Sequence, residues 1–275
     1  MHELTRKAIL WHLWREEPDR YRALSADAAR FFARPADDWP AAVERLYHLA
    51  ISEPHSAHTA FHDLAWDYQL HNNYLAWEAL NAALGEHRRH ERLDPWFAAH
   101  TWLSEADLAA QQYRIADAQQ HYRQALALYQ QVQSRLGEAN CLQGLADVKR
   151  GQDRPEEALS GYAQALPIYL DEVGDRQGAA ECLLAWGEAL VMTGNLDAAA
   201  THHAAAVEHA EATGDRWTRT QLWRLQGDIA RQRGDVAAAR AAYDEALVLA
   251  AAIEGTDWWV ATVKERLLTL PSESV

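Results

Sequence analysis

Three histidines, His55, His58 and His62, stand at i, i+3 and i+7. On a helix this spacing shares one face, and imidazole is a natural zinc ligand. Pro54 places His55 in a cap or first turn, and no cysteine is nearby in sequence. The pairs His87/His90 and His202/His203 have no spacing that closes a tetrahedral site. No metal is therefore expected. Nucleophilic chemistry has no better support. Ser25, Ser104 and Ser160 lack a G-x-S-x-G context. Cys141 and Cys182 lie beside leucines at nearly equivalent places, where small buried residues belong, so they are expected to be inert. The three lysines, Lys7, Lys149 and Lys264, precede Ala8, Arg150 and Glu265. A phosphate-binding loop needs Lys followed by Ser or Thr, so the chain carries no nucleotide-hydrolysing loop of its own. It is expected to be neither an enzyme nor a cofactor carrier.

The elements behind these residues follow from composition and periodicity. The 275 residues are 49% hydrophobic, enough for a sizeable core. With 26 Lys+Arg against 40 Asp+Glu, the net charge of -14 disfavours phosphate-held nucleic acid and anionic membranes as partners. No run of about 18 apolar residues suits a bilayer span, and the start lacks a signal-peptide cleavage pattern. Two cysteines make no disulfide framework, so a reducing, cytoplasmic setting is expected.

A repeat of 40 or 41 residues organises the second half. A small residue recurs at Ala106, Ala146, Gly187 and Gly227, preceded by four at Trp102, Leu142, Leu183 and Trp223. An acid follows each: Asp107, Asp147, Glu188 and Asp228. Twelve residues after the small residue come Ala118, Ala158, Ala199 and Ala239, then a ring at Tyr122, Tyr162, His203 and Tyr243, then Ala125, Ala165, Ala206 and Ala246. Residues four and seven apart share a helix face. The turns fall at Tyr113–Arg114, Asp153–Arg154, Gly194–Asn195 and Gly234–Asp235. One such helix pair cannot bury its own apolar face, so neighbours must stack.

This pattern over residues 97–255 resembles the tetratricopeptide repeat, in its longer form of about 40 residues. The resemblance implies an all-α fold, a right-handed α-solenoid of tetratricopeptide-like helix pairs preceded by an irregular helical arm. The expected organisation is an arm over 1–95 with a degenerate repeat near 57–84, four repeats over 96–256, and a capping helix and tail over 257–275. First helices line the concave face of such a stack. Counted from the small residue, one column there is His100, Asn140, Glu181 and Gln221. A second is Leu103, Gln143, Leu184 and Arg224, and a third is Asp107, Asp147, Glu188 and Asp228. The fourth is Ala110, Arg150, Val191 and Arg231. The polar members are candidate contacts for a protein or peptide ligand, and Asn140 resembles the groove asparagine that clamps a ligand backbone. The other reading of the acidic column is a solvated face with local pairs, Asp147–Arg150 and Asp228–Arg231.

Residues 1–95 read as helices over 3–15, 19–33, 40–52, 57–70 and 73–85, and Asp94-Pro95 as the cap and start of the first clear repeat. The stretch MHELTRKAILWHLWREEPDRYRALSADAARFF, followed by WPAAVERLYHLA, resembles the arm between the winged-helix domain and the repeats of bacterial STAND signal-transduction NTPases. Met1-His2-Glu3 is similar to the Met-His-Asp motif of the NB-ARC branch, with Glu3 in place of Asp; by that resemblance His2 would sense nucleotide. The implied function is a non-catalytic sensor that binds a protein or peptide and regulates an NTPase upstream in the same polypeptide. The alternative is a free-standing adaptor or scaffold.

Overall fold

The structure is a computed structural model that describes residues 3–33 and 38–271. His2 lies outside the described residues. Among those residues the fold is all-α, without strands, and no helix is long and apolar enough to cross a membrane. The chain divides into two compact units, Met1–Leu108 and Ala109–Val275.

The first unit holds α1 (Glu3–Glu16), α2 (Pro18–Phe32), α3 (Trp39–Ser52), α4 (Pro54–Leu70), α5 (Tyr74–Arg89) and most of α6 (Pro95–Gln111). These match the helices read from the sequence to within a few residues. Proline stands in the first turn of α2, α3 and α4, where no N–H is needed. Asp94 Oδ1 accepts from the amides of Trp96 and Phe97 at 3.0 Å, so the expected cap of α6 is formed. Leu46, Phe61, Trp77, Leu80, Leu84 and Phe97 build one core. Polar groups within it are paired: Trp77 Nε1 donates to Ser104 Oγ at 2.7 Å, and Ser104 donates to Asn81 Oδ1 at 2.9 Å.

The second unit begins at the end of α6 and continues with α7 (Ile115–Gln131), α8 (Arg135–Gly151), α9 (Pro155–Pro167), α10 (Arg176–Met192), α11 (Leu196–Thr213), α12 (Arg216–Gln232), α13 (Val236–Ala250) and α14 (Asp257–Leu268). It is a succession of helix pairs, an α-solenoid. The repeating alanines of its second helices are fully buried, as close helix approach requires. Turn residues Tyr113, Asp153, Gly194 and Gly234 all have positive φ, so four equivalent positions adopt the left-handed conformation that ends a helix. Asp175, Asn195, Asp215 and Asp235 cap the helices that follow with side-chain acceptors.

One unit of the repeat is 41 residues long, and the structure locates the extra residue. Ala165 stands 22 positions before Gly187, whereas Ala125–Ala146 and Ala206–Gly227 are 21 apart. Within that interval α9 passes into a π-helix, Ile168–Val173. A π-turn accommodates one inserted residue. Pro167, which has no N–H for the i→i−4 ladder, immediately precedes it.

Candidate functional site

The candidate site lies on the first helices of successive repeats in the second unit: α8, α10, α12 and the final helix α14. Half-buried or buried polar residues of these helices form a continuous ladder of charges. Asp147 Oδ1 accepts from Arg150 at 3.2 Å, and Arg150 reaches Glu188 at 2.5 Å. Glu188 also binds Arg224. Arg224 donates to Asp228 Oδ2 at 2.9 Å, and the same oxygen binds Arg266 of α14. Three acids and three arginines alternate, so the ladder carries no net charge and leaves none of these arginines single.

The ring positions of the second helices extend the ladder. Tyr162 and Tyr243 donate their hydroxyls to Asp147 Oδ1 and Asp228 Oδ1, both at 2.7 Å. Arg150 Nε donates to the Tyr162 hydroxyl at 3.1 Å. Where the ring is His203, the acid is the longer Glu188. His203 Nε2 bonds the Leu222 carbonyl at 3.1 Å instead, and Glu188 reaches the arginines on both sides. Tyrosine therefore accompanies aspartate, and histidine accompanies glutamate. Burial lowers Arg224 to about 10, with Asp228 opposing that shift, so the guanidinium stays charged at neutral pH. Burial also pushes the Tyr162 hydroxyl well above its ordinary range, with the Asp147 charge adding to it, which keeps it a donor.

Glu188 and Asp228 of the acidic column thus lie on no solvated face, while Asp147 keeps access to water. Asp228 is 4% exposed. It pairs with Arg224 and Arg266 rather than with Arg231, which approaches the Tyr243 hydroxyl. The expected local pair Asp147–Arg150 is present.

The amide column sits beside the ladder. Asn140 Oδ1 accepts from the Tyr169 hydroxyl at 2.7 Å. Gln143 Oε1 is buried without a hydrogen-bond partner among the described residues. Gln221 is half-buried. Glu181 Oε1 accepts from Gln177 Nε2 at 2.7 Å, and that nitrogen is also 3.1 Å from Asp215 Oδ2. Burial, reinforced by the charges of Asp215, Asp175 and Asp147, pushes Glu181 up to about 7. Leu184 and Val191, which share these columns, are buried apolar residues.

Of the residues read from the sequence, Asn140, Gln143, Asp147, Arg150, Glu181, Glu188, Gln221, Arg224, Asp228 and Arg231 all lie on these helices of the second unit. His100 and Asp107 belong to the first unit. His100 is turned onto α4, with Nδ1 2.9 Å from His58 Nε2, and burial lowers it to about 3. Sequence reasoning missed Tyr169, Gln177 and Arg266. Tyr169 had a signal, since it follows Ala165 by four as Tyr129 follows Ala125, and both rings are buried; Arg266 had none, because it follows the last unit.

Residues 97–171 match the family model described as Tetratricopeptide repeat. The match indicates no catalytic family. Among solved structures, BtubC (BKLC) from P. vanneervenii is similar at 17% identity and a TM-score of 0.55, over 94% of this chain and 96% of that one. A Signal Transduction ATPase with Numerous Domains (STAND) protein with a tetratricopeptide repeat sensor, from Pyrococcus horikoshii, is similar at 11% identity and a TM-score of 0.55. That likeness covers 90% of this chain and 41% of that one. Identities this low speak to fold alone. Among curated proteins none matches the chain by sequence. The tetratricopeptide-like helix pairs give the ladder its physical basis: stacking the first helices of successive repeats brings side chains of neighbouring columns, 36 to 38 residues apart, within reach of one another.

Proposed function

We propose that the chain is a protein-interaction module that takes an extended segment of a protein or peptide ligand along α8, α10 and α12. The observation that carries this reading is the division of labour on that surface. The charged groups satisfy one another, while the Asn140 amide nitrogen and the amides of Gln143 and Gln221 stand beside them, and the buried Gln143 Oε1 has no partner among the described residues. Amide side chains pair with a peptide backbone by donating and accepting, without demanding charge from the ligand. The experiment is a selection of displayed peptides against the whole chain, followed by titration into Asn140→Ala/Gln143→Ala/Gln221→Ala. A loss of at least about tenfold in affinity, or about 1.4 kcal/mol, in a variant that still unfolds cooperatively above the titration temperature supports the reading. Undiminished binding overturns it.

The finer reading is that this module is the cytoplasmic sensor of a bacterial STAND NTPase, with residues 1–95 as the connecting arm, 96–256 as the sensing repeats and 257–275 as the cap. The resemblance of the first fifty residues supports it, and the fold is one that a STAND protein with a tetratricopeptide repeat sensor also has. In that setting the chain itself is non-catalytic, and His2 would report on nucleotide held by the upstream domain. Reading the coding sequence upstream of Met1 tests this. An open frame entering a phosphate-binding-loop domain supports the sensor, and a true start at Met1 favours a free-standing adaptor.

A further inference from the structure

A pocket of about 210 Å3 opens between α11 and α12, with His203, Val207, Leu222 and Trp223 among its walls. At about 100° per residue, the α12 residues that line it lie on the side opposite Gln221, Arg224 and Asp228. It is therefore separate from the candidate groove.

The preceding repeat shows what normally fills this place. There the ring is Tyr162, and it stacks on Trp186 with centroids 6.5 Å apart. Leu166 and Leu183 pack with them. At the equivalent positions one repeat later stand His203, Gln226, Val207 and Trp223. Histidine for tyrosine and glutamine for tryptophan remove the stacked pair, and the space stays open. His203 is held at the wall by its bond to the Leu222 carbonyl.

Three polar groups at this pocket make no side-chain polar contact within the fold. Glu211, Arg219 and Gln226 line it, all are exposed, and none makes a side-chain hydrogen bond or ion pair among the described residues. The acid and the base do not even pair with each other. On the opposite side of α12, by contrast, the charges from Asp147 to Arg266 are joined. An acid and a base that line the same apolar-walled pocket without pairing match a molecule that carries an ammonium and a carboxylate beside an apolar side chain. The volume lies below the roughly 300–1,000 Å3 of sites for drug-sized ligands, so the occupant must be small.

We propose that the pocket between α11 and α12 binds a free α-amino acid with an apolar side chain. Arg219 takes the carboxylate and Glu211 the ammonium. Trp223, Leu222 and Val207 cover the side chain, and the Gln226 amide adds a hydrogen bond.

The test is calorimetric titration of the whole chain with each of the common L-amino acids at millimolar concentration, and with N-acetyl-L-leucine amide and N-acetyl-L-phenylalanine amide. A saturable heat with apolar amino acids is expected, at least about tenfold weaker for the capped forms, for Arg219→Ala and for Glu211→Ala. These two residues are exposed, so their variants keep the fold. His203→Tyr, which restores the residue of the other three repeats, should abolish binding while holding or raising the melting temperature. No saturable heat with any amino acid overturns the proposal. So does equal binding of the capped forms, which would mark a pocket for an apolar side chain of a protein. Binding undiminished in His203→Tyr also overturns it.

Discussion

Tyr243 donates its hydroxyl to Asp228 Oδ1 at 2.7 Å, across the two helices of one repeat, while Asp228 Oδ2 holds Arg224 and Arg266. One buried carboxylate thus joins its own repeat, the helix that bears it and the terminal helix. Tyr162 makes the same bond to Asp147, but there the carboxylate side chain is 35% exposed, against 6% for Asp228. The two bonds differ chiefly in their access to water. Tyr243→Phe strands a buried acceptor and is expected to cost about 1–3 kcal/mol. At Tyr162→Phe water can replace the lost hydroxyl, and the cost should stay below about 1 kcal/mol. Urea denaturation of both variants checks the order.

The ladder predicts coupling between neighbouring repeats. Arg224 serves both Glu188 and Asp228, so Arg224→Met leaves two acids short of a partner and should cost about 3–5 kcal/mol. Glu188→Gln removes one of those acids in advance. The double variant should therefore be less destabilised than the two singles added, by about 0.5–3 kcal/mol. A double-mutant cycle in which the effects simply add would show that the arginine acts on Asp228 alone.

Glu181 gives the second unit a pH dependence of unusual sign. Its folded value is raised from about 4.5 to about 7 by burial. Between those values the unfolded chain has released the proton and the folded chain still holds it, so folding binds a proton. Stability attributable to this group is therefore greatest below pH 4.5, falls as pH rises through 4.5–7 and levels off above. Asp175, Asp215 and Asp147 supply the surrounding negative charge, and Gln177 the opposing hydrogen bond. Melting temperatures of Glu181→Gln should lack this decline, while the parent chain shows it. Parallel profiles for the two proteins would contradict the assignment.

Tyr113 closes α6 at φ 57° with its side chain 83% exposed. The equivalent turns of later repeats use Gly194 and Gly234. A side chain in the left-handed region costs about 1–2 kcal/mol, partly offset because glycine loses more freedom on folding. Tyr113→Gly should stabilise the chain by about 0.5–1 kcal/mol, visible as a raised melting temperature, and Gly194→Ala should destabilise it by a similar amount.

Much of this architecture was legible in the chain itself. The spacing of Ala158, Tyr162 and Ala165 marks one helix face wherever it occurs, because helix periodicity is local. Asp94-Pro95 reads as a helix start for the same reason: the cap is made by atoms within three residues. Trp258 and Trp259 are adjacent, so on a helix they cannot share a side, and one is 50% exposed while the other is 4% exposed. The acidic column was legible as a column, but its meaning was not. Asp228 has Arg231 one turn away in sequence, yet it binds Arg224 and Arg266.

What the sequence by itself determined is the repeat, its helix pairs, their caps and the absence of a phosphate-binding loop. Each of these rests on residues within a few turns of one another. Tertiary structure alone decided which charges meet. Glu188 lies between Arg150 and Arg224 because stacked first helices bring together side chains 36 to 38 residues apart. It also decided that His203 and Gln226 leave a space where Tyr162 and Trp186 stack. Side-chain length and the distance between packed helices set both outcomes, and neither is a property of one segment.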